Sequence, residues 1–181
     1  APGHYRGFWI LANASGQFFG IGANADDPVW VDINVAGDSP GNAASYDFLA
    51  NACSAEWKSG AGGLPCPGTN GDSRGFILSV NPAKLEDGSS NSPGLLTAPQ
   101  HRYNGYIQGF YPAFTVQPGD HFQSTVGCEY GSSCYVTFRL DYMTANGYIT
   151  TFWQRREQNE GKSYNADVDL TPLAGRSIRF I

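Results

Sequence analysis

Tyr135-Val136-Thr137-Phe138-Arg139-Leu140-Asp141-Tyr142 is the stretch on which the fold is decided. Val136, Phe138, Leu140 and Tyr142 alternate with Tyr135, Thr137, Arg139 and Asp141. A period of two gives a β-strand one apolar face and one mixed face. A second run, Tyr148 to Arg155, follows across Asn146-Gly147, and Asn-Gly between two such runs is a strong hairpin signal. The same period recurs at Val29, Val31, Ile33 and Val35, interleaved with Trp30, Asp32 and Asn34. Further strands are expected at Tyr46 to Ala50, Phe76 to Val80, Tyr106 to Phe110, Ala113 to Val116, His121 to Val126 and Asp167 to Leu170. Pro118-Gly119-Asp120 has the chemistry of a turn. No window holds a helical period over three turns. Thr171-Pro172-Leu173-Ala174-Gly175 reads as one helical turn, with Thr as cap, Pro first and Gly past the end. Residues 54–74 and 84–100, rich in Gly, Ser, Pro and Asn, read as long loops. About a dozen short strands at this spacing predict an all-β, antiparallel two-layer sandwich of jelly-roll type.

A chain of 181 residues with 41% hydrophobic and 14% aromatic content has material for one core and excludes disorder. Only 15% of residues are charged and the net charge is −5. That balance argues against nucleic acid, which demands basic stripes. No apolar run reaches the roughly twenty residues of a membrane span. Ala1-Pro2-Gly3 reads as a mature start left after cleavage. The strand-like ends, Tyr5 to Leu11 and Arg176 to Ile181, are expected to be paired, because chain ends otherwise fray.

The four cysteines form two close pairs, Cys53 with Cys66 and Cys128 with Cys134. Four cysteines allow three connectivities. Local pairing is expected, since each pair brackets a Gly/Pro/Ser-rich loop. Zinc is disfavoured: neither spacing is C-x₂-C, and the nearest histidine, His121, stands alone. Disulfides imply an extracellular setting. Asn13-Ala14-Ser15 fits a glycosylation acceptor at Asn13.

From Tyr46 onward the chain resembles a β-sandwich domain of large secreted surface proteins of Chloroflexota-type bacteria. The resemblance is carried by 46–57 (Tyr-Asp-Phe-Leu-Ala-Asn-Ala-Cys-Ser-Ala-Glu-Trp), 64–76 (Leu-Pro-Cys-Pro-Gly-Thr-Asn-Gly-Asp-Ser-Arg-Gly-Phe), Gly119-Asp120-His121-Phe122, 134–142 and 166–170. It implies a module similar to carbohydrate-binding sandwiches and brings no catalytic residues. In such domains the strand ending here at Ile181 continues through a Gly/Asn turn into one more strand with a Trp. A segment of that character sits instead at Phe8 to Gly16 and Asp26 to Ile33. Residues 1–35 are therefore expected to supply strands to a body at 45–181 across a linker at 36–44. Pairing in cis would give a permuted monomer; pairing in trans would give a head-to-tail polymer.

The histidines His4, His101 and His121 are scattered, and no HExxH or nucleophile elbow occurs. Glu129 and Asp141 are carboxylates of the glycosidase kind, but that chemistry needs a separation of about 5–9.5 Å that sequence does not give. Asp72, with Asn70 and Ser73, and Asp167 with Asp169 are weak calcium candidates, since the same residues form turns. The reading is thus a non-enzymatic, cofactor-free extracellular subunit of a surface filament joined by strand donation. Its anchors would be Phe8, Trp9, Ile10, Leu11, Val29, Val31 and Ile33, docking beside Ile178 and Phe180 of another copy. The rival reading is a carbohydrate-binding module of a larger secreted protein. It would meet cell-surface glycans through exposed aromatics, foremost Tyr103 and Tyr130 in Gly-containing loops.

Overall fold

Among the described residues, every regular element longer than a single turn is a strand, as the period-two pattern predicts, and every ladder is antiparallel. The computed structural model describes residues 3–9, 11–12, 15, 18–19, 29–35, 46–90 and 92–181. The chain divides into two units, Ala1–Tyr46 and Asp47–Ile181.

In the first unit β1 (Gly3–Trp9) pairs with β4 (Val29–Val35) over seven residue pairs, from Gly3 opposite Val35 to Trp9 opposite Val29. β2 (Leu11–Ala12) pairs with β3 (Phe18–Phe19). Ile10, Asn13 and 36–45 lie outside the described residues.

The second unit is the sandwich-like body. A three-stranded sheet is formed by β5 (Glu56–Ser59), β6 (Gly62–Leu64) and β9 (Ile107–Phe110), with β5 central. β7 (Phe76–Val80) pairs with β8 (Gly94–Ala98). The largest sheet runs β10 (Phe114–Thr115), β15 (Ser177–Phe180), β12 (Tyr135–Met143) and β13 (Ile149–Gln158). β11 (His121–Val126) pairs with β14 (Tyr164–Asp169).

The core sits where these layers meet. Val116, Leu140, Leu170, Leu173, Ile178 and Phe180 are buried together, with Phe48, Phe114, Phe122, Tyr142, Phe152 and Trp153 packed around them. The register shifts between Leu140 and Asp141: Leu140 faces Trp153 but Asp141 faces Thr151, leaving Phe152 as the extra residue of a bulge. The bulge lets consecutive aromatics, Phe152 and Trp153, both reach the core. Arg155 lies 3.4 Å from the ring centre of Tyr164, tying β13 to β14.

The β12–β13 hairpin turns at Thr144 to Gly147, whose N–H donates to the Thr144 carbonyl. Elsewhere the sequence misleads. Tyr46 to Ala50 is a turn, not a strand, because the Asp47 carboxylate accepts the Ala50 N–H and its carbonyl accepts that of Asn51. Residues 54–74 and 84–100 are not plain loops; they hold β5, β6 and β8. Gly62-Gly63 has low strand propensity, yet the Trp57, Lys58 and Ser59 partners hold it in a ladder. Opposite Trp57 sits Gly109, where a Cβ would fall 2.8 Å from the indole, so only glycine admits the ring. The turn at Thr171–Leu173 is capped by Leu170, not Thr171.

Candidate functional site

Three regions were expected to carry function: the N-terminal strands with the terminal strand, the exposed aromatics, and the acidic loops. The terminal strand is interior. β15 pairs with Phe114 and Thr115 on one side and with Tyr142 and Met143 on the other. The Asp141 and Ile181 backbones exchange two further hydrogen bonds, at 2.9 and 2.8 Å. Ile178 and Phe180 are each only 1% exposed. They are core residues rather than interface anchors, because both edges of their strand are occupied from within the body. Arg179 locks the arrangement by donating to the carbonyls of Tyr111 and Phe110 and to Glu56.

Of the N-terminal anchors, Phe8 and Trp9 fall in β1, Leu11 in β2, and Val29, Val31 and Ile33 in β4. Phe8 is opposite Trp30, and Tyr5 is opposite Ile33. Ile10 and the acceptor asparagine Asn13 lie outside the described residues. In the body, β13 (Ile149–Gln158) pairs with β12 alone among the described strands.

The two aromatic candidates differ. The Tyr130 face is covered by Lys84, whose Nζ stands 3.6 Å from the ring centre. Tyr103 is 91% exposed. It lines a pocket of about 450 Å³ with Gly60, Gln100, Arg102, Asn104 and Tyr106. The pocket lies where β5 ends and β9 begins, across from the segment leaving β8. Its wall is a four-residue turn closed by the Gly105 N–H on the Arg102 carbonyl, with Asn104 at φ +53°. A Cβ at Gly105 would lie 1.9 Å from the Gln100 carbonyl oxygen, so the turn closes only around glycine. The Gln100 Oε1 is buried there without a hydrogen-bond partner. A second pocket, of about 400 Å³ along Gln123, Ser124, Thr125, Asn165, Ala166 and Asp167, is of another kind. Its polar groups satisfy one another: Thr125 donates to Asn165, and Gln123 to Asp167.

The calcium candidates are surrounded by donors, not by fellow ligands. Asp72 takes a bidentate bond from Arg74, which holds its carboxyl below the usual range. Asp167 is likewise lowered by bonds from His121, at 2.6 Å, and Gln123. Asp169 is lowered by Thr171, whose N–H it accepts at 2.8 Å. Asp141, one of the two carboxylates noted for glycosidase chemistry, is bound bidentately by Arg139.

One acidic cluster went unnoticed in the sequence. Glu157, in the polar run Arg155-Arg156-Glu157-Gln158, is 1% exposed, and its carboxyl oxygens have no hydrogen-bond partner of normal geometry. Glu86 and Glu157 oxygens lie within 4.8 Å of each other and of the Cys128 sulfur. Burial, and then the adjacent Glu86, push the Glu157 carboxyl upward. Burial also works to raise Glu86, but the N–H groups of Gly161, Cys128 and Glu160 outweigh it and hold Glu86 below the usual range. Cys128 is bonded to Cys134 and offers no thiolate to a metal ion, which leaves only the two carboxylates of that cluster.

Disulfides join Cys53 to Cys66 and Cys128 to Cys134, with Cα atoms 5.1 and 5.9 Å apart. No helix among the described residues is long and apolar enough to cross a membrane. The class defined by these features is an all-β, sandwich-like protein with two local disulfides. No family model, curated protein or solved structure matches the chain.

Proposed function

We propose that this protein is a non-enzymatic extracellular structural subunit. Its N-terminal strands dock on a second copy, joining subunits head to tail into a filament or similar surface assembly. The observation that carries the reading is the economy of the N-terminal unit. Its described ladders are only two strands wide, while the strands themselves are rich in Phe, Trp, Val and Ile. A two-stranded ribbon is marginal in water and needs a further apolar surface. Each large apolar side chain that such docking buries contributes about 1.5–3 kcal/mol.

The acceptor is the open edge of β13, not the occupied edges of β15. A ten-residue edge with no partner among the described strands is a template for strand addition. The occupant is the β1–β4 ribbon of another copy, whose seven-residue strands would cover most of that ten-residue edge. The secreted character is supported by the two disulfides and by the resemblance of 46–181 to bacterial surface-protein domains.

The test uses light scattering and electron microscopy on the full chain and on two edge variants, Ile149→Lys and Gln154→Lys, both at exposed β13 positions. Lysines on an edge oppose pairing. Fibres from the full chain and single particles from the double variant support the reading. Single particles from both would remove it.

A further inference from the structure

We propose that the pocket beside Tyr103 is a saccharide-binding site selective for a carboxylate-bearing sugar. The proposal does not rest on the assembly reading. Sugars are recognised by flat aromatic faces against their C–H surfaces, and by a few fixed polar groups that meet hydroxyls. Both requirements are met here in one place. Tyr103 is 91% and Tyr106 48% exposed, so each presents ring surface to solvent. The exposed Asn104 amide lines the same pocket and offers sugar hydroxyls both a donor and an acceptor.

The charge preference follows from Arg102. It lines the pocket, is exposed, and has no ion-pair partner among the described residues. Arg74, Arg139 and Arg179 each face a carboxylate of the protein; Arg102 shares its lack of a described ion pair with Arg155, Arg156 and Arg176, but of these it alone lines the pocket. No described lining residue of this pocket is acidic, on a chain whose net charge is −5. A guanidinium with no described ion-pair partner, among described lining residues that include no acid, matches a carboxylate through a planar, two-point contact. A volume of about 450 Å³ suits one or two sugar rings.

The loop is built to hold this shape. A Cβ at Gly60 would lie 2.7 Å from the Gln100 Oε1 and 3.7 Å from the Tyr106 ring, so the pocket floor is glycine backbone. The Arg102 N–H donates to the Gln100 carbonyl at 2.8 Å, and the His101 N–H donates to Ser73. The second pocket, whose donors and acceptors are already matched, shows what a merely structural polar hollow on this protein looks like.

The experiment titrates the full chain with oligogalacturonate, alginate oligomers and a hyaluronan oligosaccharide, against neutral cello- and manno-oligosaccharides, by calorimetry. At least one acidic probe is expected to bind, more weakly as salt rises. Tyr103→Ala is expected to weaken it about tenfold or more. Arg102→Met should abolish the preference for acidic over neutral probes. Both side chains are exposed, so neither variant threatens folding. Tyr148→Ala, 73% exposed at the β12–β13 turn, should change nothing. The proposal is overturned if no acidic probe binds, if neutral probes bind equally well, or if both pocket variants bind as the unaltered chain does.

Discussion

The described strands of the two units differ in how widely they pair: the body holds sheets of up to four strands, the N-terminal unit ladders of two. In the body, the strand Ser177–Phe180 is enclosed by β10 and β12, and its Ile178 and Phe180 are among the most deeply buried residues. The body also holds both disulfides and the aromatic cluster of Phe48, Trp57, Tyr111 and Phe114. The N-terminal unit has no cysteine, and its described strands pair only two by two. The body therefore has its stabilising contacts inside one chain. A ribbon of apolar strands needs a surface beyond itself. The contrast teaches that apolar composition alone does not mark a core strand; at Ser177–Phe180 the neighbours on both edges do.

The largest effect should come from removing residues 1–35. The truncated protein is expected to lose assembly completely, yet to melt cooperatively by near-ultraviolet circular dichroism, and to capture an added peptide of that sequence. Loss of cooperative melting would show that the body depends on those residues in cis, and would erase the comparison. Next in size is Phe180→Ala, expected to destabilise the body by about 3–5 kcal/mol in urea unfolding. A cost under about 1 kcal/mol would mean that β15 is not the central strand of a packed core.

Breaking a disulfide ranks third. Replacing both Cys53 and Cys66 with Ser should cost roughly 3 kcal/mol, and replacing Cys128 and Cys134 somewhat less. The first bridge closes the longer loop, with a separation of 13 against 6 residues. The reverse order would place the strength of the second bridge in its contact with Glu86 and Glu157.

Those two acids give the smallest and most specific effect. The folded state raises Glu157, so its protonated form is the one folding favours. Its contribution is therefore greatest in acid and is lost as pH rises through its folded pKa. Glu86 is lowered, so its contribution is present above its unfolded pKa and is lost as pH falls through its folded one. Glu157→Gln should raise the melting temperature by a few degrees at neutral pH and by less in mild acid. An equal shift at both pH values would mean that Glu157 stays charged in the folded protein.

The β12–β13 hairpin was legible because Asn146-Gly147 and the flanking alternation agree, and nothing tertiary opposes them. β6 was not, because Gly62-Gly63 has no intrinsic strand preference and takes its form from Trp57, Lys58 and Ser59. The bulge that turns both Phe152 and Trp153 to the core breaks the alternation, and no local pattern announces it. Tyr103 stood out as an aromatic in a glycine-containing loop, whereas Gln100 and Gly60 join it only through tertiary contact. Glu157 was hidden for the same reason: a charged residue amid Arg155, Arg156 and Gln158 reads as surface, and only the fold carries it inside.

The central claim, that the N-terminal strands join one copy to another, is tested most directly by the mass of the native full chain in solution. Light scattering under non-denaturing conditions, with the same sample imaged by electron microscopy, should find long uniform fibres far above the single-chain mass of 19.5 kDa. A homogeneous particle of that single-chain mass would contradict the account and return residues 1–35 to their own body.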